Sequence, residues 1–353
     1  MGAAVEDLGM RDGGDVVVLR GGDVIELLRG REVELMQLVR RAYEAHAAGA
    51  SSLPHSIFLR FPHDARSRII ALPAYLGGEF DVAGMKWVSS FPSNRDLRIN
   101  RASAVVVLNS ARTGRPALIA EGSVISAKRT AASAALAASH LCAAREPERV
   151  GLIGCGAINY EVARFLLAAF PEGAGELDIF DTDVRHAERF REKCLALRPG
   201  LRVNVRSEVS EVLKGSALIS FATTALAPHV FDLSACAPGS VVLHVSLRDL
   251  SPEVILACEN VVDDVDHVCR AQTSIHLAEQ LAGNRDFIRC TLADVTAGTA
   301  PAREDPNAVA VFSPFGLGIL DLAVAQLVYR LAADEGRGTV LEDFSPDSWA
   351  ESW

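Results

Sequence analysis

Lysine is scarce in this chain: of 35 basic residues only Lys86, Lys128, Lys193 and Lys214 are lysines. Arginine, a rigid fork suited to carboxylates, therefore does most of the anion pairing. Positive charge is short overall as well. The formal net charge is −10 over 353 residues, which argues against a nucleic-acid partner. Paired cysteines are missing. The seven present (Cys142, Cys155, Cys194, Cys236, Cys258, Cys269 and Cys290) are scattered, with no Cys-x-x-Cys and no His–Cys clustering. That pattern speaks against a disulfide frame and a metal site, and for a reducing cytoplasm. No run approaches ~20 uninterrupted apolar residues, and the acidic, Gly-rich start has no apolar export core, so neither membrane insertion nor export is expected. Internal repeats and low-complexity tracts are absent too. What is there is an ordinary globular composition, 49% hydrophobic and 23% charged, in a length that supports two domains with buried cores.

The apolar pattern divides the chain. Residues 1–13 read as a loose leader, 16–19 as a strand, and 24–48 as two helical segments. Strands follow at 56–61, 68–72, 80–89 and 102–108, joined by turns rich in Pro, Gly and Asn; 109–115 is a hairpin with Thr113-Gly114 at its tip, leading into 116–120. This front part predicts an α+β domain with an antiparallel or mixed sheet. An alanine-dense helix over 126–144 then connects to a region of alternating strands and helices. Its strands lie near 150, 177, 202, 217, 241 and 260, and Ser251-Pro252-Glu253 opens one of its helices as an N-cap with proline at N1. Such alternation predicts a parallel, doubly wound sheet. A strand at 308–312, a long amphipathic helix at 317–333 and an acidic tail at 341–353 complete the pattern. The expected fold class is α/β: a Rossmann doubly wound parallel sheet over 129–313, plus an α+β domain over 1–128 completed by 314–353.

One stretch carries most of the chemistry. Arg149-Val150-Gly151-Leu152-Ile153-Gly154-Cys155-Gly156-Ala157-Ile158-Asn159 is an apolar run, then Gly-x-Gly, then a helical pattern over 160–170 and a second strand over 177–180 ending in Asp181. That is the layout of a dinucleotide-binding βαβ unit. Gly154 permits the tight turn. Gly156 lets the backbone approach a pyrophosphate on the positive helix N-terminus. Asp181 is placed to accept hydrogen bonds from ribose hydroxyls, and its charge opposes a 2′-phosphate, with Arg185 one turn on as the counter-signal. The third glycine of the fingerprint is replaced by Asn159. The bland alternative is a tight turn with no ligand.

In the front domain Arg60, Arg68, Lys86, Arg98, Arg101, Lys128 and Arg129 either converge on a carboxylate-binding cleft or are solvated surface charges. Lys86 stands out, because a lysine inside the apolar strand Gly84-Met85-Lys86-Trp87-Val88 needs a partner or a task. Arg129-Thr130 opens the alanine-rich helix, where a guanidinium can hold a carboxylate and a hydroxyl can reach a phosphate. Asp249 follows the strand 241–245, on the ligand-binding rim of a parallel sheet. It is a general base for water, a proton relay, or a turn residue capping the next helix.

Several segments together carry a family resemblance. They are Pro54-His55-Ser56-Ile57-Phe58-Leu59-Arg60-Phe61-Pro62, Met85-Lys86-Trp87-Val88-Ser89-Ser90-Phe91-Pro92, Glu121-Gly122-Ser123-Val124-Ile125-Ser126-Ala127-Lys128-Arg129-Thr130-Ala131-Ala132, the glycine turn, and His244-Val245-Ser246-Leu247-Arg248-Asp249-Leu250. With them the chain resembles the ornithine cyclodeaminase and mu-crystallin superfamily over nearly its whole length. The resemblance implies NAD as cofactor, held around Thr130, Gly154, Gly156, Ala157, Ile158, Asn159, Asp181, Thr223 and Ser313. It implies that Lys86 and Arg129 bind substrate carboxylate, with Arg60 and Arg248 as further contacts, and that Asp249 catalyses with Lys86 assisting. It also implies a homodimer built through the front domain; the residues themselves show only a strand-rich domain able to offer edges.

Two departures narrow the expected activity. Cyclodeaminases of the family carry Pro-Gly-Lys after the aspartate, where this chain has Leu250-Ser251-Pro252-Glu253, and their turn reads Gly-x-Gly-x-Gln, where this chain has Gly-Cys-Gly-Ala-Ile-Asn. Both favour the branch that makes 2,3-diaminopropionate for siderophores and peptide antibiotics. The activity implied is NAD-dependent oxidative hydrolysis of N-(2-amino-2-carboxyethyl)-L-glutamate, a substrate with several carboxylates. The rivals are an ornithine cyclodeaminase, another amino-acid or imine dehydrogenase, and a non-catalytic nucleotide- or ligand-binding protein of the mu-crystallin kind.

Overall fold

A computed structural model describes residues 14–142 and 146–346. The expected leader 1–13, the last two residues of the alanine-rich helix and most of the acidic tail lie outside the described residues. The chain divides into two compact units: residues 1–31, 41–129 and 317–353 form one, and 32–40 with 130–316 the other.

The first unit is built on one mixed sheet. Its strands are β1 (Val16–Leu19), β2 (Ser51–Ser52), β3 (Ile57–Phe61), β4 (Asp64–Leu76), β5 (Val82–Ser90), β6 (Ala102–Ser110), β7 (Pro116–Glu121) and a late strand, Thr339–Leu341. The order is Thr339–Leu341, β1, β7, β6, β5, β4, β2, with β3 added on β4; only the β1–β7 pair is parallel. Leu341, read from sequence as the start of a tail, is therefore a strand residue paired with Val16.

The register assigns the faces. Leu72, Lys86 and Val106 are directly opposed across β4, β5 and β6 and share one face. The long helix Gly318–Glu335 packs on that face, and a Cβ on Gly84 would meet Val107 O at 2.2 Å and Leu322 Cδ2 at 3.0 Å, so only glycine admits the helix this closely. The helix was expected to be amphipathic. It is instead buried nearly all round, Asp321 and Gln326 included. The opposite face carries Ile57, Trp87 and Tyr75, exposed at 66%, 37% and 37%, and Leu59 at 45%.

The second unit is a Rossmann-type doubly wound sheet. Its strands are β8 (Arg149–Ile153), β9 (Glu176–Phe180), β10 (Arg202–Val205), β11 (Leu218–Phe221), β12 (Val241–His244), β13 (Glu259–Val262), β14 (Ile288–Thr291) and β15 (Ala310–Ser313). All eight run parallel in the order β10-β9-β8-β11-β12-β15-β13-β14. The α/β class and the parallel sheet are as the alternation predicts; β14, short and partly buried, is an addition to that pattern. Ile153, Ile219, Phe221, Val242, Val262 and Val311 form its core. The strand order reverses between β8 and β11, where ligands bind in such sheets.

The alanine-rich helix spans Gly122–Leu141, four residues earlier than its expected start. Glu121 is the reason: its carboxylate accepts the N–H groups of Ser123 (2.8 Å) and Val124 (3.1 Å), satisfying donors that a helix start leaves open. Arg129 and Thr130 accordingly sit two turns inside the helix rather than opening it.

Candidate active site

The second unit presents a phosphate-type cradle at the switch point. Gly154, at the end of β8, has φ +92°, and a Cβ there would meet Ala222 O at 2.6 Å. Gly156 is the N-cap of the helix Ala157–Ala169, has no side-chain cap, and has open space where a Cβ would stand. The first-turn N–H groups of Ala157 and Ile158 are thus offered beside backbone that a ligand can approach. These features fit a pyrophosphate.

Asn159 explains how the turn holds its shape without the third glycine. Its side chain is fully buried; Nδ2 donates to Ile153 O (2.9 Å) and Gly154 O (2.8 Å), and Oδ1 accepts from Ser220 Oγ (2.7 Å). It pins the turn from beneath rather than facing outward. From the other side Asp181 Oδ2 accepts the Cys155 N–H (2.9 Å) and Oδ1 the Asp183 N–H (3.0 Å), and His186 Nε2 lies 2.8 Å from Cys155 O. A carboxylate has about four lone-pair positions, so Asp181 retains capacity for hydroxyl donors.

Past the ends of β11 and β12 lies a second cluster, centred on Asp249. The sequence places this carboxylate on the ligand-binding rim of the sheet, and its side chain is completely buried there. Oδ1 accepts from Thr223 Oγ1 and from His229 Nε2 (3.0 Å), and Oδ2 accepts from Ser246 Oγ. The buried ring of His244 has Nε2 3.4 Å from Oδ2 and Nδ1 3.3 Å from Ser313 Oγ. Burial alone would push the Asp249 carboxyl up, but the His244 ring and the Ser246 and Thr223 hydroxyls outweigh it and hold the group far below the usual carboxylate range. Asp249 is not the cap of the next helix; Ser251 is, its Oγ accepting from Val254 N (3.3 Å). The turn that aims Asp249 contains Leu247 at φ +68°, a left-handed conformation that L side chains adopt at a cost of ~1 kcal/mol or more.

His229 was not singled out from sequence. Its ring is 41% exposed while the carboxylate it touches is not exposed at all, and its backbone N–H donates to Asp249 O (2.9 Å). The available signal was Ala227-Pro228-His229, a histidine locked behind a proline shortly after Thr223.

The first unit holds the cationic cluster. Lys86 Nζ lies 2.7 Å from Asp321 Oδ2 and donates to Ser126 Oγ at 3.0 Å; Arg129 Nε donates to Asp321 Oδ1 at 3.1 Å. Lys86 and Asp321 are 2% and 0% exposed and Arg129 is buried. Two cations thus share one carboxylate, and the cluster carries a net positive charge with guanidinium N–H groups to spare. Burial pushes the Lys86 ammonium down to about 8, the Arg129 charge adding to this and Asp321 opposing it. Asp321 is the partner Lys86 required, and it too was missed; its signal was a lone aspartate inside Gly318-Ile319-Leu320-Asp321-Leu322-Ala323-Val324.

The remaining expected residues are less concentrated. Arg60 is exposed on β3, opposite Arg68, with its guanidinium 5.6 Å from the Phe58 ring centre; it has no polar contact with Lys86, Arg129 or Asp321. Arg248, in the second unit, donates through Nη2 to Ala271 O (2.7 Å). Ser313 is buried, and the Thr223 hydroxyl is committed to Asp249. Thr130 is half-buried. Among the described residues no group of three or more His, Cys, Asp and Glu side chains is arranged to hold a metal ion, and no helix is long and apolar enough to cross a membrane.

The profile of the ornithine cyclodeaminase/mu-crystallin family matches residues 16–336. The chain belongs to that family. Among its relatives, N-((2S)-2-amino-2-carboxyethyl)-L-glutamate dehydrogenase of Staphylococcus aureus is 28% identical over 306 residues, covering 85% of this chain and 90% of that protein. The Thermococcus litoralis Delta(1)-pyrroline-2-carboxylate reductase, solved with NADH and L-proline, superposes with a TM-score of 0.83 at 26% identity, over 92% of this chain and 99% of that one. An archaeal alanine dehydrogenase dimer with bound NAD gives 0.82 at 26% identity, over 93% and 99%. The likeness to family members runs through both units and not the nucleotide-binding fold alone.

Proposed function

We propose that this family member is an NAD-dependent oxidoreductase acting on a carbon–nitrogen bond, and that it converts N-(2-amino-2-carboxyethyl)-L-glutamate and water to 2-oxoglutarate and L-2,3-diaminopropionate, for siderophore or peptide-antibiotic assembly. The observation that carries this reading is the buried pair of cations on one carboxylate. Lys86 and Arg129 exceed Asp321 by one positive charge, which suits a substrate rich in carboxylates. The relative from Staphylococcus aureus, matched over most of both chains, supports the choice of substrate.

NAD held in this cradle would supply an acceptor for the hydride of the glutamate Cα–H, which with loss of the amine proton would give an imine. The chain's own residues do the rest. Gly154, Gly156 and the first-turn N–H groups of Ala157 and Ile158 hold the pyrophosphate, with Asn159 fixing the turn. Asp181 takes the adenosine ribose hydroxyls and disfavours a 2′-phosphate. Thr130 offers a hydroxyl to the phosphates, while Thr223 and Ser313 hold the Asp249–His244 cluster toward the nicotinamide end. Arg129 binds a substrate carboxylate through its fork, Lys86 binds and polarises alongside it, and Arg60 and Arg248 serve the outlying carboxylates. Asp249 anchors the group of residues that manages protons during hydrolysis of the imine.

The assembly proposed is a homodimer formed through the uncovered sheet face of the first unit, supported by the exposed Ile57, Leu59, Tyr75 and Trp87 on one side of that sheet and by the dimeric archaeal alanine dehydrogenase. A cytoplasmic location fits seven free cysteines. The deciding experiment offers the purified protein NAD and a panel of N-substituted glutamates, ornithine and alanine while NADH absorbance is followed. NADH accumulation with N-(2-amino-2-carboxyethyl)-L-glutamate, equimolar 2-oxoglutarate, and silence with ornithine are expected; NADH from alanine alone overturns the substrate.

A further inference from the structure

We infer that His229, and not Asp249, is the group that takes the proton from the attacking water, Asp249 being its positioning residue. The inference rests on the reading above, in which an imine is hydrolysed. It starts from what the Asp249 carboxylate has left to give. The side chain is fully buried, and both oxygens are already occupied by hydroxyl and imidazole donors. A carboxylate so enclosed meets no water and gains little by accepting a proton from one. What it does is fix a donor. An ionised carboxylate only accepts hydrogen bonds, so the 3.0 Å contact from His229 Nε2 to Oδ1 requires the hydrogen on Nε2. The neutral ring then carries its lone pair on Nδ1.

Three further observations agree. The His229 ring is 41% exposed where Asp249 is 0%, so of the pair it is the histidine that solvent can reach. Its main chain is laid alongside the Asp249 loop: the N–H groups of His229 and Val230 both donate to Asp249 O at 2.9 Å, and Ser251 N donates to Val230 O at 2.9 Å. Ring and carboxylate are therefore held in register by backbone as well as by side chain. The second imidazole touching the cluster, His244, is wholly buried and spans Asp249 and Ser313, which leaves it no access to water. Imidazole is also the side chain whose protonation changes most readily near neutral pH.

The step balances without a further reactant. His229 Nδ1 removes a proton from water as its oxygen bonds to the imine carbon and the C=N π pair moves to nitrogen. The imidazolium returns that proton to nitrogen. The carbinolamine hydroxyl then gives its proton to Nδ1 as the C=O forms and the C–N bond breaks; the bond's electron pair leaves on nitrogen, which takes that proton from the imidazolium and departs as the neutral amine, restoring the free ring. Asp249 stabilises the imidazolium at both stages and never itself carries the proton.

His229→Gln tests this, because the glutamine amide can still donate to Asp249 but has no basic nitrogen. With NAD and the N-substituted glutamate, we expect a first-turnover burst of about one NADH per site at a rate within about threefold of wild type, a steady state at least about a hundredfold slower, and KM falling with kcat so that kcat/KM stays within about threefold of wild type. A wild-type steady state, or loss of the burst together with turnover, overturns the assignment. If the wild type gives no NADH with that substrate, the substrate reading falls by itself, and the same comparison is made with whichever amino acid of the panel reduces NAD. A readout independent of turnover is the nitrogen-15 spectrum of histidine-labelled protein. His229 is expected as the Nε2–H tautomer in the wild type, shifting toward Nδ1–H in Asp249→Asn with NADH affinity retained; an Nδ1–H ring in the wild type overturns the pair.

Discussion

Asp321 decides the chemistry of the first unit with one side chain. It neutralises half of a buried dication, so its removal and the removal of a cation have unequal consequences. Asp321→Asn leaves Lys86 and Arg129 buried without a counter-charge, and should lower stability by about 3–5 kcal/mol in urea denaturation. Lys86→Met leaves the Arg129–Asp321 pair matched and fills the space with an apolar chain. It should cost stability about 1 kcal/mol or less while abolishing steady-state turnover, and equal destabilisation by both variants would contradict the shared-carboxylate arrangement. The position of Lys86 also sets a pH limit. Its folded value of about 8 lies below the usual lysine range, so the ammonium is present below pH 8 and is lost as pH rises through it. KM for a carboxylate substrate should therefore climb above about pH 8, and Lys86→Arg should move that climb beyond the accessible range.

At the scale of elements, the glycine turn was legible because everything that makes it is local: an apolar strand, two glycines, a helix start and an acidic strand end. What Asn159 does there was not, since its partners include Ser220, 61 residues away in β11. Asn159→Gly would restore the ordinary fingerprint but strand the Ser220 hydroxyl and the carbonyls beneath the turn. It should lose about 2 kcal/mol of stability and bind NADH more weakly than the wild type in fluorescence titration; tighter binding would refute the pinning role. The helix Gly318–Glu335 shows the opposite failure. It reads as amphipathic, yet its polar Asp321 and Gln326 are both buried, Gln326 Nε2 donating to Phe80 O at 2.6 Å. A polar residue with a committed partner looks the same in sequence as one facing water. Lys86 could be seen to need a partner, but nothing local could say that the partner lay 235 residues on. His229 escaped for the same reason, its meaning resting on Asp249 and on a backbone pairing between Val230 and Leu250.

For the whole molecule, the sheet of the first unit presents a test of assembly. Trp87 and Leu59 project from the face opposite Lys86, so in the proposed homodimer a charge there should separate protomers without disturbing the cationic cluster. Trp87→Glu is expected to give the monomer mass in light scattering with far-ultraviolet circular dichroism unchanged, whereas a dimer that persists would place the interface elsewhere. The two cations and the carboxylate they share leave the ribosome at different times. Lys86 and Arg129 are synthesised early, all of the nucleotide-binding unit except residues 32–40 follows, and only then does the ribosome release the helix bearing Asp321. Until that moment two cations of the nascent chain face an interior they cannot enter at tolerable energy. The first unit therefore completes its core last although it begins first, and a nascent chain that has emerged from the ribosome only as far as residue 316 should show a closed nucleotide-binding unit while the sheet of the first unit is unfinished.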